Sequence, residues 1–140
     1  MMLTFTGTQR GMTAFQLEQV YHRLKTWSPN LVAIHHGGCT GADTEFHEAC
    51  YELSLLKLVH VWPSNLPKKQ GRLVGSGFKV NSPSDPLFRN KAMVERSGIV
   101  LATPGEHYEL LRSGTWATIR YAKELGMAVD VIFPMPPTNQ

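Results

Sequence analysis

Short apolar runs with strand character alternate along this chain with longer stretches in which apolar residues recur at helical spacing. Residues 2–6 read as a strand, and the loop Gly7-Thr8-Gln9-Arg10-Gly11 follows it. Thr13 stands where a helix N-cap belongs. Phe15, Leu17, Val20, Tyr21 and Leu24 then recur near helical spacing to about Trp27, where Ser28-Pro29-Asn30 stops the run. The unit repeats: residues 31–36 form a strand, Gly37-Gly38-Cys39-Thr40-Gly41 a loop, and residues 42–53 a helix with Ala42, Phe46, Ala49 and Leu53 on one stripe. Residues 56–62 make a third strand. The stretch 63–86 is rich in Pro, Gly, Ser and Lys, and a loop of that length inside a compact domain marks a candidate lid. A helix at about 85–97, a strand at 98–103, a loop at 104–112, a helix at about 113–125 and a last strand at 128–133 complete the series. Gly126 ends the last helix, and Pro134, Pro136 and Pro137 make the tail irregular.

Five strands separated by four helices predict an α/β, Rossmann-like fold, a doubly wound and mainly parallel five-stranded sheet with helices on both faces. The simplest order is third, second, first, fourth, fifth. Ligands of such sheets sit outside the carboxyl ends of the strands, where the order reverses. The glycine-rich loops of this chain fall at those ends.

Composition narrows the class. The 140 residues fit one domain, 1–140, able to bury a core without disulfides or metals. Hydrophobic residues make up 42% and charged residues 18%, as in globular chains, and the longest apolar runs are too short to cross a bilayer. The first five residues lack the basic region and long apolar stretch of a signal peptide, and two cysteines do not make a disulfide scaffold, so a cytoplasmic location and no membrane partner are expected. A net charge of +3 suits an anionic partner, although Lys68, Lys69, Arg72 and Lys79 are the one local basic cluster.

The candidate chemistry lies in the loops. Arg112-Ser113-Gly114-Thr115 stands where a loop becomes a helix. Free backbone N–H groups and the positive helix end suit a phosphate there, Gly114 permits close approach, and Ser113 and Thr115 add hydroxyls. The bland alternative is an ordinary capped helix. Gly37, Gly38, Thr40, Gly41 and Asp43 occupy a second strand-to-helix loop, and Gly7 and Thr8 a third. Asp43 is placed to accept from ribose hydroxyls or simply to complement the helix dipole. Arg10 and Arg89 are candidates for two-pronged phosphate contacts, and Asn90 offers an amide to a sugar or base. The glycine loop has neither the Walker lysine pattern nor GxGxxG, so neither Mg-ATP hydrolysis nor NAD chemistry, and no cofactor, is expected. His35, His36, Cys39, Asp43 and His47 show no zinc spacing, and alternation puts His35 and His36 on opposite sheet faces, so no metal site is expected. Cys39 at a helix N-terminus is a candidate reactive thiol, Cys50 a core residue. Trp62 and Trp116 read as core or cleft wall, with Met12 a further candidate to stack on a base.

Through Gly7-Thr8-Gln9-Arg10-Gly11-Met12-Thr13, His36-Gly37-Gly38-Cys39-Thr40-Gly41-Ala42-Asp43, Arg89-Asn90-Lys91-Ala92-Met93 and Arg112-Ser113-Gly114-Thr115-Trp116, the chain resembles the SLOG superfamily over nearly its whole length. That superfamily groups the Lonely Guy nucleotide phosphoribohydrolases, the DNA-processing protein DprA and small YspA-like proteins. The resemblance implies a nucleotide or nucleotide-derived phosphorylated ligand at the strand ends. Exposed helices often mediate dimers in the superfamily, which makes a homodimer or higher homo-oligomer one expectation. It also suggests hydrolysis of the N-glycosidic bond of a nucleoside 5′-monophosphate, with Arg89 matching an arginine of the phosphoribohydrolases. Their glutamate, however, has no counterpart, because Trp116, Ala117 and Thr118 stand in its place. Substitute carboxylates are Asp43, Glu45, Glu106 and Glu109, with Glu106 and Glu109, just before the phosphate loop, the leading catalytic candidates. A nonenzymatic sensor of a nucleotide signal fits the same residues. Single-stranded nucleic-acid binding, as in DprA, is the alternative from another class and requires a basic track rather than a closed pocket.

Overall fold

The computed structural model describes residues 1–137. Its elements run β1 (Met2–Gly7), α1 (Ala14–Trp27), β2 (Ala33–His36), α2 (Ala42–Glu52), β3 (Val59–Val61), β4 (Lys79–Val80), α3 (Pro86–Glu95), β5 (Ile99–Thr103), α4 (Gly114–Glu124) and β6 (Ala128–Val131). The sheet is parallel throughout, in the order β4-β3-β2-β1-β5-β6. This is the expected α/β doubly wound order with one strand more. The addition, β4, is two exposed residues that place Lys79 opposite His60 and Val80 opposite Val61. A strand so short carries no alternation to read.

The segment expected as a lid is anchored instead. Thr40 N–H donates to Lys69 O at 2.9 Å, Gly71 N–H to Gly38 O at 2.8 Å, and Asn81 N–H to Val61 O at 2.9 Å. Leu73 and Phe78 pack on the main core, and the Phe78 ring meets His47 edge-on with centroids 4.6 Å apart. Its composition was that of a loop, but its backbone groups are bonded to the sheet edge and to the loop before α2.

The larger core lies between the sheet and α1 and α2. Leu3, Phe5, Ile34, Val59 and Val61 meet Val20, Leu24, Phe46 and Ala49, and the Phe5 and Phe46 rings stack with centroids 4.2 Å apart. Alternation sends Val100 and Ala102 to other, smaller clusters with Ala122 and with Trp116 and Ile119 of α4. The same alternation separates His36, buried against Phe46, from His35, which accepts from the Trp62 indole N–H at 3.0 Å.

Local signals explain the helix ends. Thr13 caps α1 with a reciprocal box: Gln16 N–H donates to Thr13 Oγ1 at 3.1 Å and Thr13 N–H to Gln16 Oε1 at 3.0 Å. Ser113 caps α4 and Asp85 caps α3, while Gly126 leaves α4 with φ of +72°.

Candidate functional site

The loops after β1, β2 and β5 converge with the start of α3 on a cavity of about 490 Å³ at the carboxyl ends of the strands. β1 lies between β2 and β5, so the chain diverges to either side there, which is where a parallel sheet leaves a crevice. Of the residues singled out in the sequence, Gly7, Thr8, Gly37, Asp43, Arg89, Asn90, Arg112, Ser113, Gly114 and Thr115 line it.

Arg89 is the unusual member. It is 7% exposed, and its Nη1 donates to Gly37 O at 3.1 Å and Trp62 O at 3.2 Å, while Nε donates to Asn90 Oδ1 at 3.1 Å. Among the described residues no carboxylate lies within 4.0 Å of it, and Nη2 has no acceptor. Its hydrogen-bond acceptors are all neutral, and the Asp43 carboxylate, near enough to feel its charge, forms no ion pair with it.

The α4 N-terminus faces the same space. The Ser113 hydroxyl accepts from Trp116 N–H at 3.2 Å and Ser113 O accepts from Ala117 N–H at 2.9 Å. The N–H groups of Gly114 and Thr115 have no acceptor among the described residues. A Cβ on Gly114 would meet nothing within 4 Å. Arg112 and Lys69 also line the cavity, so three cations face one carboxylate, Asp43.

Asp43 is 8% exposed and its Oδ2 accepts from Cys39 N–H at 3.2 Å. Burial pushes its carboxyl up to about 6, against the opposing pull of the Cys39 N–H and of Arg89. The same burial, with the Asp43 carboxylate beside it, raises the Cys39 thiol above its ordinary range. The expectation of a reactive Cys39 thiol is therefore corrected: it stands just before a helix, but desolvation and a neighbouring carboxylate raise it against the opposing pull of Arg89.

Other expected residues take structural work. Arg10 and Glu106 form an ion pair with each other, Glu106 also accepts from the Trp116 indole N–H at 3.1 Å, and neither lines the cavity. Glu109, exposed and not on the cavity wall, pairs with Arg120 at 3.1 Å. Glu106 and Glu109 thus brace the loop before α4. Glu45 accepts from Met12 N–H at 2.6 Å and ties the first loop to α2. Gly38, Thr40 and Gly41 do not line the cavity. Gly41, with φ of +85°, is required because the Gln9 backbone crosses where a Cβ would stand. Gly7 is needed in the same way against Thr103 and Ala42.

Sequence reasoning assigned Lys69 only to a surface cluster; the pairing of its segment with the loop before α2 carries it to the cavity. Thr6, Pro86 and Leu87, also on the wall, carried no sequence signal beyond adjacency to the motifs, and Gln9 and Met93 stood inside the motifs without being singled out.

Behind the wall His36 and His47 form a closed neutral chain. Gly38 N–H donates to His36 Nδ1 at 2.9 Å, which places the His36 proton on Nε2, facing His47 Nδ1 at 2.9 Å. The remaining His47 Nε2–H donates to Val74 O at 2.9 Å. Burial holds both rings below the ordinary histidine range, His36 at about 3. Every ring nitrogen is thereby engaged in a hydrogen bond. Among the described residues no three His, Cys, Asp or Glu side chains are grouped to hold a metal, and no helix is long and apolar enough to cross a membrane. Comparison with family models, with curated proteins and with solved structures gives no match.

Proposed function

We propose that this chain binds a phosphorylated, nucleotide-type small molecule in the cavity at the carboxyl ends of its strands. The observation that carries the reading is Arg89, a buried guanidinium in no ion pair and with Nη2 unpartnered, on the same wall as the free Gly114 and Thr115 N–H groups. An anion restores the charge balance of that wall, and the start of α4 supplies donors fixed in place before it arrives. The cavity volume of about 490 Å³ falls in the range of small-molecule sites. A cavity of that volume, with Lys69 on its wall, favours a small ligand over an extended nucleic-acid strand.

Hydrolysis of an N-glycosidic bond is the second reading, and it now leans on Asp43. Glu106 and Glu109 are held in ion pairs away from the cavity, which leaves Asp43 as the one lining carboxylate among the described residues. A carboxylate there is able to take a proton from water attacking C1′ as the C1′–N bond breaks and its electron pair leaves with the base.

Calorimetric titration with adenosine 5′-monophosphate, ribose 5-phosphate and adenosine, with free base followed chromatographically, tests both readings. Binding is expected to depend on the phosphate, adenosine binding at least about tenfold more weakly than its 5′-phosphate, as for the loss of one charge-assisted hydrogen bond or more. Gly114→Val is expected to abolish binding with the fold retained, since its side chain enters open space where the phosphate would lie. Equal affinity for adenosine, or unchanged affinity in the valine variant, refutes the phosphate assignment.

A further inference from the structure

We infer that the sheet face turned away from α1 and α2, where it runs out over β2, β3 and β4, binds a small tetrahedral oxyanion of the phosphate or sulfate type between His35, His60, Lys79 and Arg96. This site is separate from the cavity, whose wall includes none of those four side chains.

Alternation and register build it. Ile34, Val59 and Val61 belong to the core against α1 and α2, so His35, His60 and Trp62 stand on the other face. His35 is the register partner of His60, and His60 of Lys79, so the three occupy one row across strands roughly 4.8 Å apart. The His35 and His60 ring centroids are 5.0 Å apart. Arg96, one residue past α3, joins the row from the side. Its guanidinium lies 4.9 Å from the Trp62 ring centroid, and the same indole donates its N–H to His35.

The donors are set before an anion arrives. Because His35 Nδ1 accepts from the Trp62 indole N–H at 3.0 Å, the proton of the neutral His35 ring is on Nε2. That N–H has no acceptor among the described residues, although His35 is only 5% exposed. Thr103 Oγ1 is the one enclosed side-chain polar atom without a partner among the described residues, so the His35 Nε2–H is not sealed in but opens onto the face. His60 is half-buried, and its ring nitrogens have no partner among the described residues. Lys79 and Arg96 are exposed, and neither has a carboxylate within 4.0 Å among the described residues. Arg96 Nη1 donates to Ala92 O at 3.0 Å, which leaves Nε and Nη2 for a ligand.

Charge and shape then select the occupant. Burial first, then the charges of His60 and Arg96, hold His35 at about 4, and burial followed by Lys79 lowers His60. The cations that oppose protonation of the two rings also repel a metal cation, whereas an anion is attracted by both of them. Donors reach the row from β2, β3, β4 and the end of α3. The two coplanar oxygens of a carboxylate cannot meet four such donors, and four oxygens at tetrahedral angles can.

Sulfate is the probe, because it stays a dianion throughout the range in which imidazole titrates; ionic strength is held constant with chloride. In imidazole nitrogen spectra of the full chain, His35 is expected as the Nε2–H tautomer. Sulfate is expected to shift the His35 and His60 signals saturably, with a midpoint on the order of 1 mM, and to raise the pH at which His60 protonates. Lys79→Glu and Arg96→Gln are each expected to raise the sulfate midpoint about tenfold or more, as for the loss of one charge-assisted hydrogen bond. Should the charge reversal disturb β4, Lys79→Met is expected to act in the same direction, by about threefold or more. In Gly114→Val, which fills the proposed phosphate end of the cavity, the response of His35 and His60 is expected to persist, so that the two sites stand or fall separately. A proton on His35 Nδ1, a response that grows without saturating, an equal midpoint for acetate, or a midpoint unmoved by the Lys79 and Arg96 substitutions overturns the inference.

Discussion

Arg89 combines two jobs that a lysine cannot combine. Its planar head donates to the Gly37 and Trp62 carbonyls and to Asn90 Oδ1, and still holds Nη2 free for the cavity. Arg89→Lys keeps the charge and loses the fork. Affinity for adenosine 5′-monophosphate is expected to fall by about 1–3 kcal/mol, read by calorimetry. Undiminished affinity would take Arg89 out of the site. Arg89, Asp43 and the Ser113-Gly114-Thr115 turn, singled out in the sequence, all stand on the cavity wall, the last two because they follow strand-end loops and Arg89 because α3 carries it there. It misplaced Arg10, Glu106 and Glu109, which were chosen for lying in the right loops. Which way a loop side chain turns depends on contacts across the fold, here the Trp116 indole and Arg120, that no local pattern encodes.

At the scale of elements, α1 is locked to both halves of the sheet through one residue. Gln16 is 1% exposed; beyond its part in the capping box, its Nε2 donates to Pro104 O at 2.7 Å and to Ile132 O at 2.9 Å. Those carbonyls follow β5 and β6 respectively, so one amide fixes the entry of α1, the start of the loop that carries the Arg112-Ser113-Gly114 turn, and the exit of the sheet. Gln16→Leu is nearly isosteric but strands both carbonyls and opens the box. A loss of about 2–4 kcal/mol is expected in urea unfolding, from two unmet buried acceptors and part of a cap. A loss under about 1 kcal/mol would mean that water replaces the amide. The helix itself was legible from Thr13 and the apolar spacing, whereas the tertiary use of Gln16 was not. The anchored 63–86 segment has the same explanation: Gly, Pro and Ser mark absent periodicity, and its order comes from partners on β3, α2 and the glycine loop.

For the whole molecule, strand order followed from alternation and the handedness of parallel crossovers, because those rules are local and general. Stability against acid does not follow from such rules, since it depends on which titratable groups the fold withdraws from water. His36 is fully buried and held at about 3, His35 at about 4, and His47 is also lowered, in each case first by burial. An unfolded chain would protonate these rings near 6.5. Below that pH the unfolded state gains protons that the folded state refuses, so stability falls as pH drops from about 6.5 toward about 4. His36 alone contributes a loss of about 2 kcal/mol at pH 5, at about 1.4 kcal/mol per unit. Asp43 acts oppositely. Its folded value of about 6 lies above the ordinary carboxylate range, so between about 6 and 4 the folded state takes up the extra proton and gains up to about 1.4 kcal/mol by pH 5. Three histidines outweigh one carboxylate, and protonating either His36 or His47 must also break the chain of bonds from Gly38 to Val74, because each ring nitrogen that would receive a proton already accepts one. The urea midpoint is expected to decline by an amount worth at least about 2 kcal/mol between pH 8 and pH 5. A midpoint that holds level or rises across that interval would show that the buried histidines are protonated in the folded state, and with it the tautomers assigned to the His36–His47 pair would fall.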